Sequence, residues 1–318
     1  MPRTYFRKAN AGDVLVSGIA VSSLQEGLNA LSVVNIVADG IYGSNTRDAV
    51  KAYQSSAGLP PTGEVDDATW RSLMRSDEPS IFARCLQVTA HFEGTGFERC
   101  VGNFDGAGLT WGIIGFTLSN GELGAVLKTI NATVPNLLSK AFGSDAKTIM
   151  EVVALPAAER IAWGNSVSRG SNNLSVAEPW RTYFHDLGTY REVQLIQMAR
   201  ARDIYWAIAT RDADSLAMHE ECDYALLYDV AVQNGGMESK GRRKTALQEF
   251  AKLNPDTPTG RRRVVTETVV VTSKKVWQAD VRSRKAAISD GAGTVHGGRY
   301  VLEDWGIMAG VTPLDRNA

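Results

Sequence analysis

Apolar positions recur at helical spacing through most of this chain. Val21, Leu24, Leu28 and Leu31 form one stripe, Thr46, Ala49, Val50 and Tyr53 a second, and Ala68, Trp70, Leu73 and Met74 a third. They predict three short helices between residues 14 and 75. Turn residues punctuate them: Asp39-Gly40 and Gly43-Ser44-Asn45 before the second helix, Gly58 to Gly63 after it, and Asp66 or Asp67 as the cap of the third. A fourth stripe, Phe82, Cys85, Leu86 and Thr89, carries on to Glu93, with Ser76 or Asp77 as cap, Pro79 in the first turn and Gly94 as the stop. Helix-like patterns then cover 121–130, 135–142, 146–153, 157–167, 180–186, 189–210 and 213–232.

Two stretches depart from this period. Residues 101–104 and 109–116 read as short strands around the tight-turn pair Asp105-Gly106, and the Val- and Thr-rich run 264–272 reads as a strand or an extended excursion. The fold class is therefore mainly α, with a small β-hairpin inside an otherwise helical body. Two domains are expected, residues 1–75 and 76–318, joined by a charged segment too short to give them much reach.

Composition narrows the function classes. With 318 residues and 44% apolar content the chain can bury a sizeable core. A formal net charge of −1 gives no sign of a nucleic-acid partner. No stretch is long and apolar enough for a bilayer span, and the opening residues lack the apolar core of a secretory signal. Synthesis in the cytoplasm is expected on that ground. Cys85, Cys100 and Cys222 are an odd set without metal-ligand spacing, and the four histidines are scattered, so neither a metal nor a cofactor is expected.

Candidate chemistry centres on two carboxylates. The helical stripe aims Glu93 inward, where burial would raise its pKa towards that of a general acid. Asp105 sits at the hairpin tip, and glycines at 102, 106, 108, 112 and 115 leave room for a substrate close to the backbone. Glycoside hydrolysis needs one protonated carboxyl and one carboxylate, and Glu93 and Asp105 can divide those roles. Asn103 and Trp111, flanking the tip, are candidates for substrate contact. So are Asp229, Gln233 and Asn234 near the end of a later helix, although a buried polar network is an alternative for Asp229. From Lys240 to Lys285 basic residues outnumber acidic ones, which favours an anionic surface, such as an outer membrane, as a partner if the run is not merely a solvated face.

Two resemblances sharpen this reading. Leu24-Gln25, Leu28-Asn29-Ala30-Leu31, Asp39-Gly40-Ile41-Tyr42-Gly43, Thr46, Ala49-Val50, Tyr53-Gln54, Gly58-Leu59-Pro60 and Thr69-Trp70 together resemble the peptidoglycan-binding domain. That likeness implies wall binding through Asp39, Tyr42, Thr46 and Gln54. The segment Asp105-Gly106-Ala107-Gly108-Leu109-Thr110-Trp111-Gly112, with Leu226 to Gly235 later, is similar to the chitosanase branch of the lysozyme superfamily. It implies a two-lobed lysozyme-like domain in which Glu93 is the general acid, Asp105 activates water and Thr110 helps hold that water.

Chitosanases carry an arginine where this chain has Ala107, and their helix-to-hairpin spacing is longer. Both differences argue against chitosan. The resulting expectation is a monomeric, endolysin-like muramidase that acts on peptidoglycan glycan strands in the periplasm after release from a host cytoplasm. A lytic transglycosylase, a chitosanase and a non-catalytic wall-binding or phage structural protein stand as alternatives.

Overall fold

The structure, a computed structural model, describes residues 3–32, 34–94 and 96–316. The chain divides into two compact units, one made of residues 1–92 with 205–318 and the other of 93–204.

The first unit opens with strand β1 (Thr4–Phe6), followed by α1 (Ile19–Ala30), α2 (Ser44–Ser56), β2 (Val65–Asp66), α3 (Asp67–Met74) and α4 (Ile81–Glu93). The first two predicted stripes are the buried faces of α1 and α2, except that Leu31 lies past the end of α1 and is 46% exposed; of the third, Trp70 and Leu73 are buried in α3, Met74 is half-buried and Ala68 is exposed. Asp66 caps α3 by accepting the Thr69 N–H at 2.8 Å. At α4 the cap lies later than the sequence indicates, because Ser80 Oγ takes the Ala83 N–H at 3.4 Å and Pro79 precedes the helix. Strand β1 pairs antiparallel with β2. Its Tyr5 and Phe6 are fully buried and meet Trp70 edge-on, so the opening residues are part of the bundle.

The second unit holds a three-stranded antiparallel sheet of β3 (Cys100–Val101), β4 (Thr110–Trp111) and β5 (Phe116–Thr117). Cys100 pairs with Trp111, Val101 with Thr110, and Thr110 in turn with Thr117. The predicted strands are thus shorter than expected, and Asp105 lies inside an eight-residue loop, 102–109, between β3 and β4. Five helices surround the sheet: α5 (Glu122–Thr133), α6 (Pro135–Phe142), α7 (Ala146–Val152), α8 (Ala157–Val167) and, after the ribbon β6 (Ser168–Arg169) and β7 (Ser175–Val176), α9 (Trp180–Thr189). Helix α10 (Arg191–Ala201) closes the unit.

The predicted helix 189–210 is interrupted by a π-helical turn, Arg202–Trp206, after which the first unit resumes with α11 (Ala207–Leu216). Next comes α12 (Glu221–Asn234), opened by a capping box in which Glu220 and Asp223 exchange side-chain and backbone bonds. Helices α13 (Arg242–Leu253), α14 (Pro258–Thr272) and α15 (Gln278–Ser289) and the hairpin β8 (Ala292–Val295) with β9 (Gly298–Val301) complete it. Residues 264–272, predicted extended, are helical. Thr257 caps α14 by accepting the Gly260 N–H at 3.0 Å, Pro258 fills its first position, and Val265, Val269 and Val270 are fully buried. Packing of this face outweighs the β-preference of Val and Thr. All three cysteines are free.

Candidate functional site

Glu93 is the last residue of α4 and the first of the second unit, where it is half-buried rather than enclosed. Gly94 follows with φ +60°, the left-handed stop expected of it. Glu98, five residues further on, is exposed.

Asp105 is exposed on its loop, and its Oδ1 accepts the Ala107 N–H at 3.0 Å. That bond is an Asx turn, which orients the carboxylate through Oδ1. The loop itself is closely held. Asn103 Oδ1 takes the Gly108 N–H at 2.7 Å and closes the loop across its base. The Asn103 N–H donates to Ser168 Oγ at 2.8 Å, and that hydroxyl donates to the Gly164 carbonyl at 2.7 Å. From the other side the Gly102 N–H reaches the Leu174 carbonyl at 2.9 Å. Asn103 is therefore a loop-closing residue whose remaining amide donates to Asn165 at 3.4 Å.

Two glycines make this packing sterically feasible. A Cβ on Gly164, in the interior of α8, would lie 2.5 Å from the Gly108 carbonyl carbon, and one on Gly102 would lie 2.6 Å from Ser168 Oγ. An interior helical glycine costs about 1 kcal/mol relative to alanine, and here the missing methyl is what lets the loop sit against the helix. Gly164 was the legible signal for this contact.

Thr110 lies on β4 with its hydroxyl buried and, among the described residues, without a hydrogen-bond partner. Thr117, directly across the β4–β5 pair, has a hydroxyl in the same state. Buried hydroxyls are normally paired, so these two mark a place where a polar partner is owed. Beyond them Gln197 clamps the turn between β4 and β5. Its fully buried side chain accepts the Ile113 N–H at 3.0 Å and donates to the Phe97 carbonyl at 3.0 Å. The sequence presents Gln197 only as one position on a core helix face.

Several sequence candidates are corrected. Trp111 is fully buried, with its indole N–H on the Phe184 carbonyl at 3.0 Å, so it packs the sheet against α9 and offers no face to a sugar. In the first unit Asp229 is fully buried between Arg284 and Lys285, the latter at 2.7 Å. Burial alone would raise its pKa, but the two cations overcome that and hold the carboxyl below its ordinary value. Gln233 accepts from Lys285 and donates to Asp280 at 2.7 Å, and Asn234 reaches Ser273 at 3.5 Å. These are bonds of an internal network that ties α12 to α15 and to the segment after α14.

The amino-terminal bundle is corrected in the same way. Tyr42 is fully buried, with its hydroxyl on the Gly63 carbonyl at 3.0 Å, and burial pushes its pKa up. Gln54 is buried too and holds the turn before α3 through Gly63, Glu64 and Thr69. Thr46 is buried between Gln25, at 2.9 Å, and the Ile41 carbonyl, at 2.8 Å. Only Asp39 is exposed, its Oδ1 shared by Gln25 and the Ile41 N–H, both at 2.9 Å.

These bonds build one wall of a groove of about 860 Å³ that Asn35, Val37, Asp39, Ile41, Ser44 and Asp48 line. Val37, 79% exposed, and Ile41, 40% exposed, give its rim an apolar character.

Of the basic run, Arg242, Arg262, Arg284 and Lys285 are buried, and Arg243, Lys252, Arg263 and Arg282 pair with acidic neighbours. The predicted cationic face is therefore much smaller than the sequence count implies. Among the described residues no helix is long and apolar enough to cross a membrane, and no group of acidic, histidine and cysteine side chains could hold a metal ion.

No curated protein sequence matches the chain significantly. Residues 17–73 match the family described as "Putative peptidoglycan binding domain". Among solved structures, one titled "Chitosanase complex structure" aligns with a TM-score of 0.51 at 17% identity, over 68% of this chain and 94% of that one. Residues 17–73 are thus similar to the peptidoglycan-binding family, and the mainly helical fold is chitosanase-like.

Proposed function

We propose that this protein is a cell-wall glycan hydrolase that cleaves β-1,4 glycosidic bonds of peptidoglycan, with Glu93 as general acid and Asp105 as the base for an attacking water. The observation that carries the reading is the loop 102–109: an exposed aspartate, oriented by its own turn, on a loop fixed to Ser168 of β6 and to Leu174 just before β7, in one compact unit with the helix-end Glu93 and with Thr110. Rigid presentation of a carboxylate at the surface is costly and has a use in positioning a reactant.

The chemistry follows from the two groups. Protonated Glu93 donates to the glycosidic oxygen as the bond breaks, while Asp105 removes a proton from water attacking the opposite face of the sugar. Asp105 Oδ1 is engaged by the Ala107 N–H, and Oδ2 is the acceptor for that proton. The unpaired Thr110 hydroxyl supplies a further contact for the water. A water between base and sugar requires carboxyl groups about 6.5–9.5 Å apart and yields inversion.

The match of residues 17–73 favours peptidoglycan, with Asp39 and the adjoining groove as the wall contact. Ala107 puts no positive charge at the turn, which suits the acetylated, uncharged sugars of the wall. The place of action on this reading is the bacterial cell wall. Hydrolysis of chitosan is a second reading, supported by the fold of the matched structure. Incubating the protein with purified peptidoglycan and, separately, with chitosan while measuring new reducing ends separates the two. Release from peptidoglycan alone supports the proposal; release from chitosan alone overturns it.

A further inference from the structure

The corner between α14 and α15 presents a surface that neither the wall-binding groove nor the carboxylate pair uses. Lys274, Lys275, Val276 and Trp277 are consecutive and all exposed, with Val276 75% and Trp277 58% accessible. Val271, at the end of α14, adds another side chain 64% exposed. Isolated exposed apolar residues are ordinary, but two large ones side by side at a helix corner with a third one turn away form a protruding apolar tip.

Between residues 268 and 279 the charge has one sign. No acidic residue occurs between Glu267 and Asp280. Those two flanking carboxylates are occupied, Glu267 by Arg282 and Asp280 by His296 and Gln233. Lys274 and Lys275 make no ion pair among the described residues, and Lys240 is held beside them by donating to the Thr272 carbonyl at 2.7 Å. Lys240, anchored at the end of α14, and the exposed Lys274 and Lys275 thus give this corner three lysines.

The corner is rigid enough to present them. The Trp277 N–H bonds the Lys274 carbonyl at 2.8 Å, and Gln278 donates to the Ser273 carbonyl at 3.3 Å. Alongside, an apolar groove of about 460 Å³ runs between α13 and α14, with Leu253, Val264 and Val271 in its lining.

We infer that this corner docks the protein on an anionic phospholipid surface, with Val276 and Trp277 entering the headgroup layer and Lys240, Lys274 and Lys275 meeting lipid phosphates. Tryptophan suits that layer because its ring is apolar and its N–H remains hydrated. An aliphatic Val at the most exposed position has no use on a sugar, which favours lipid over glycan. Interfacial binding that combines apolar insertion with basic residues is a general mode of reversible membrane attachment. This inference is independent of the hydrolytic reading, since none of its residues belongs to the proposed glycan machinery.

The test is sedimentation of the full-length protein with vesicles of phosphatidylcholine alone and of phosphatidylcholine with about one third phosphatidylglycerol, at low and high salt. Wild type is expected to bind the anionic vesicles, to release in high salt and to ignore the neutral ones. K274E/K275E should weaken binding by at least tenfold and on the order of 30-fold, and Val276→Ser with Trp277→Ala should lower it comparably while circular dichroism stays unchanged. In Trp277→Phe the blue shift of tryptophan emission on binding should largely vanish. The inference is overturned if wild type fails to bind anionic vesicles or if these variants bind as well as wild type. It is also overturned if the Trp277 variant loses glycan binding instead, or if wild type sediments alone as a dimer that the Val276/Trp277 substitution dissolves.

Discussion

Gln197→Met removes both polar ends of the clamp on the β4–β5 turn while keeping the length of the side chain. In the native protein that side chain is fully buried, accepts the Ile113 N–H and donates to the Phe97 carbonyl, each at 3.0 Å. The substitution removes two hydrogen bonds to buried backbone groups, each loss costing about 1–3 kcal/mol. Part of that loss is offset because an amide no longer has to be desolvated, so about 3 kcal/mol is the expected net cost. Urea unfolding reads the total, and hydrogen exchange at the Ile113 amide reads it locally as roughly a 150-fold acceleration. Thr110 and Thr117 flank the same turn, so hydrolysis should fall although neither carboxylate has been touched. A change below about 0.5 kcal/mol together with unaltered exchange at Ile113 would refute the clamp.

The remaining expectations are direct. Gly164→Ala places a methyl where the Gly108 backbone lies, so the loop has to move by the better part of an ångström; turnover should fall on the order of 100-fold with far-UV circular dichroism unchanged, and an unimpaired enzyme would show that α8 does not set the loop. Trp111→Ala should cost about 3–5 kcal/mol of stability, and Trp111→Phe should lower the unfolding midpoint without raising KM for glycan; a raised KM at full stability would restore it as a substrate contact. His91, whose Nδ1 lies 2.8 Å from the Tyr300 hydroxyl, has its pKa lowered by burial. The unfolded chain therefore takes up this proton first, and the contribution is complete above about pH 6.5 and lost as pH falls from there towards the folded-state pKa. Urea midpoints at pH 7 and pH 5 should differ more for wild type than for His91→Phe, and equal differences would count against that assignment.

Much of this architecture is legible in the residues because period and punctuation agree. Helices α1 to α3 and α5 to α8 fall close to where their apolar stripes and capping residues place them. The run 264–272 misleads because local preference for strand is outweighed by burial of Val265, Val269 and Val270 along a capped helix. Strand β1 escapes notice because three residues carry too little pattern, and its pairing with β2 spans some sixty residues of chain.

At the site, Glu93 and Asp105 stand out because carboxylates and glycines gather in one short segment, and Thr110 stands out only through the resemblance that segment carries. What holds them does not stand out. Gln197 and Ser168 are distant in sequence and work through backbone groups that no residue pattern reveals, and only Gly164, a glycine inside a helical pattern, leaves a trace in the sequence. The opposite error affects Tyr42, Thr46, Gln54 and Asp229. Their polarity marks them as binding candidates, yet the same polarity is consumed in buried hydrogen bonds and ion pairs that hold the fold. The basic stretch fails for a related reason: a count of cations does not distinguish Lys274, which faces solvent, from Lys285, which neutralises a buried aspartate.

The most direct measurement is mass spectrometry of the soluble fragments released from purified peptidoglycan by wild type, Glu93→Gln and Asp105→Asn. The account predicts fragments with reducing muramic acid ends from wild type, carrying one solvent oxygen when the digestion is run in ¹⁸O-water, and loss of those fragments in both variants. Anhydro ends that persist in Asp105→Asn would contradict it, because no activated water would then be involved, and so would wild-type digestion that survives Glu93→Gln.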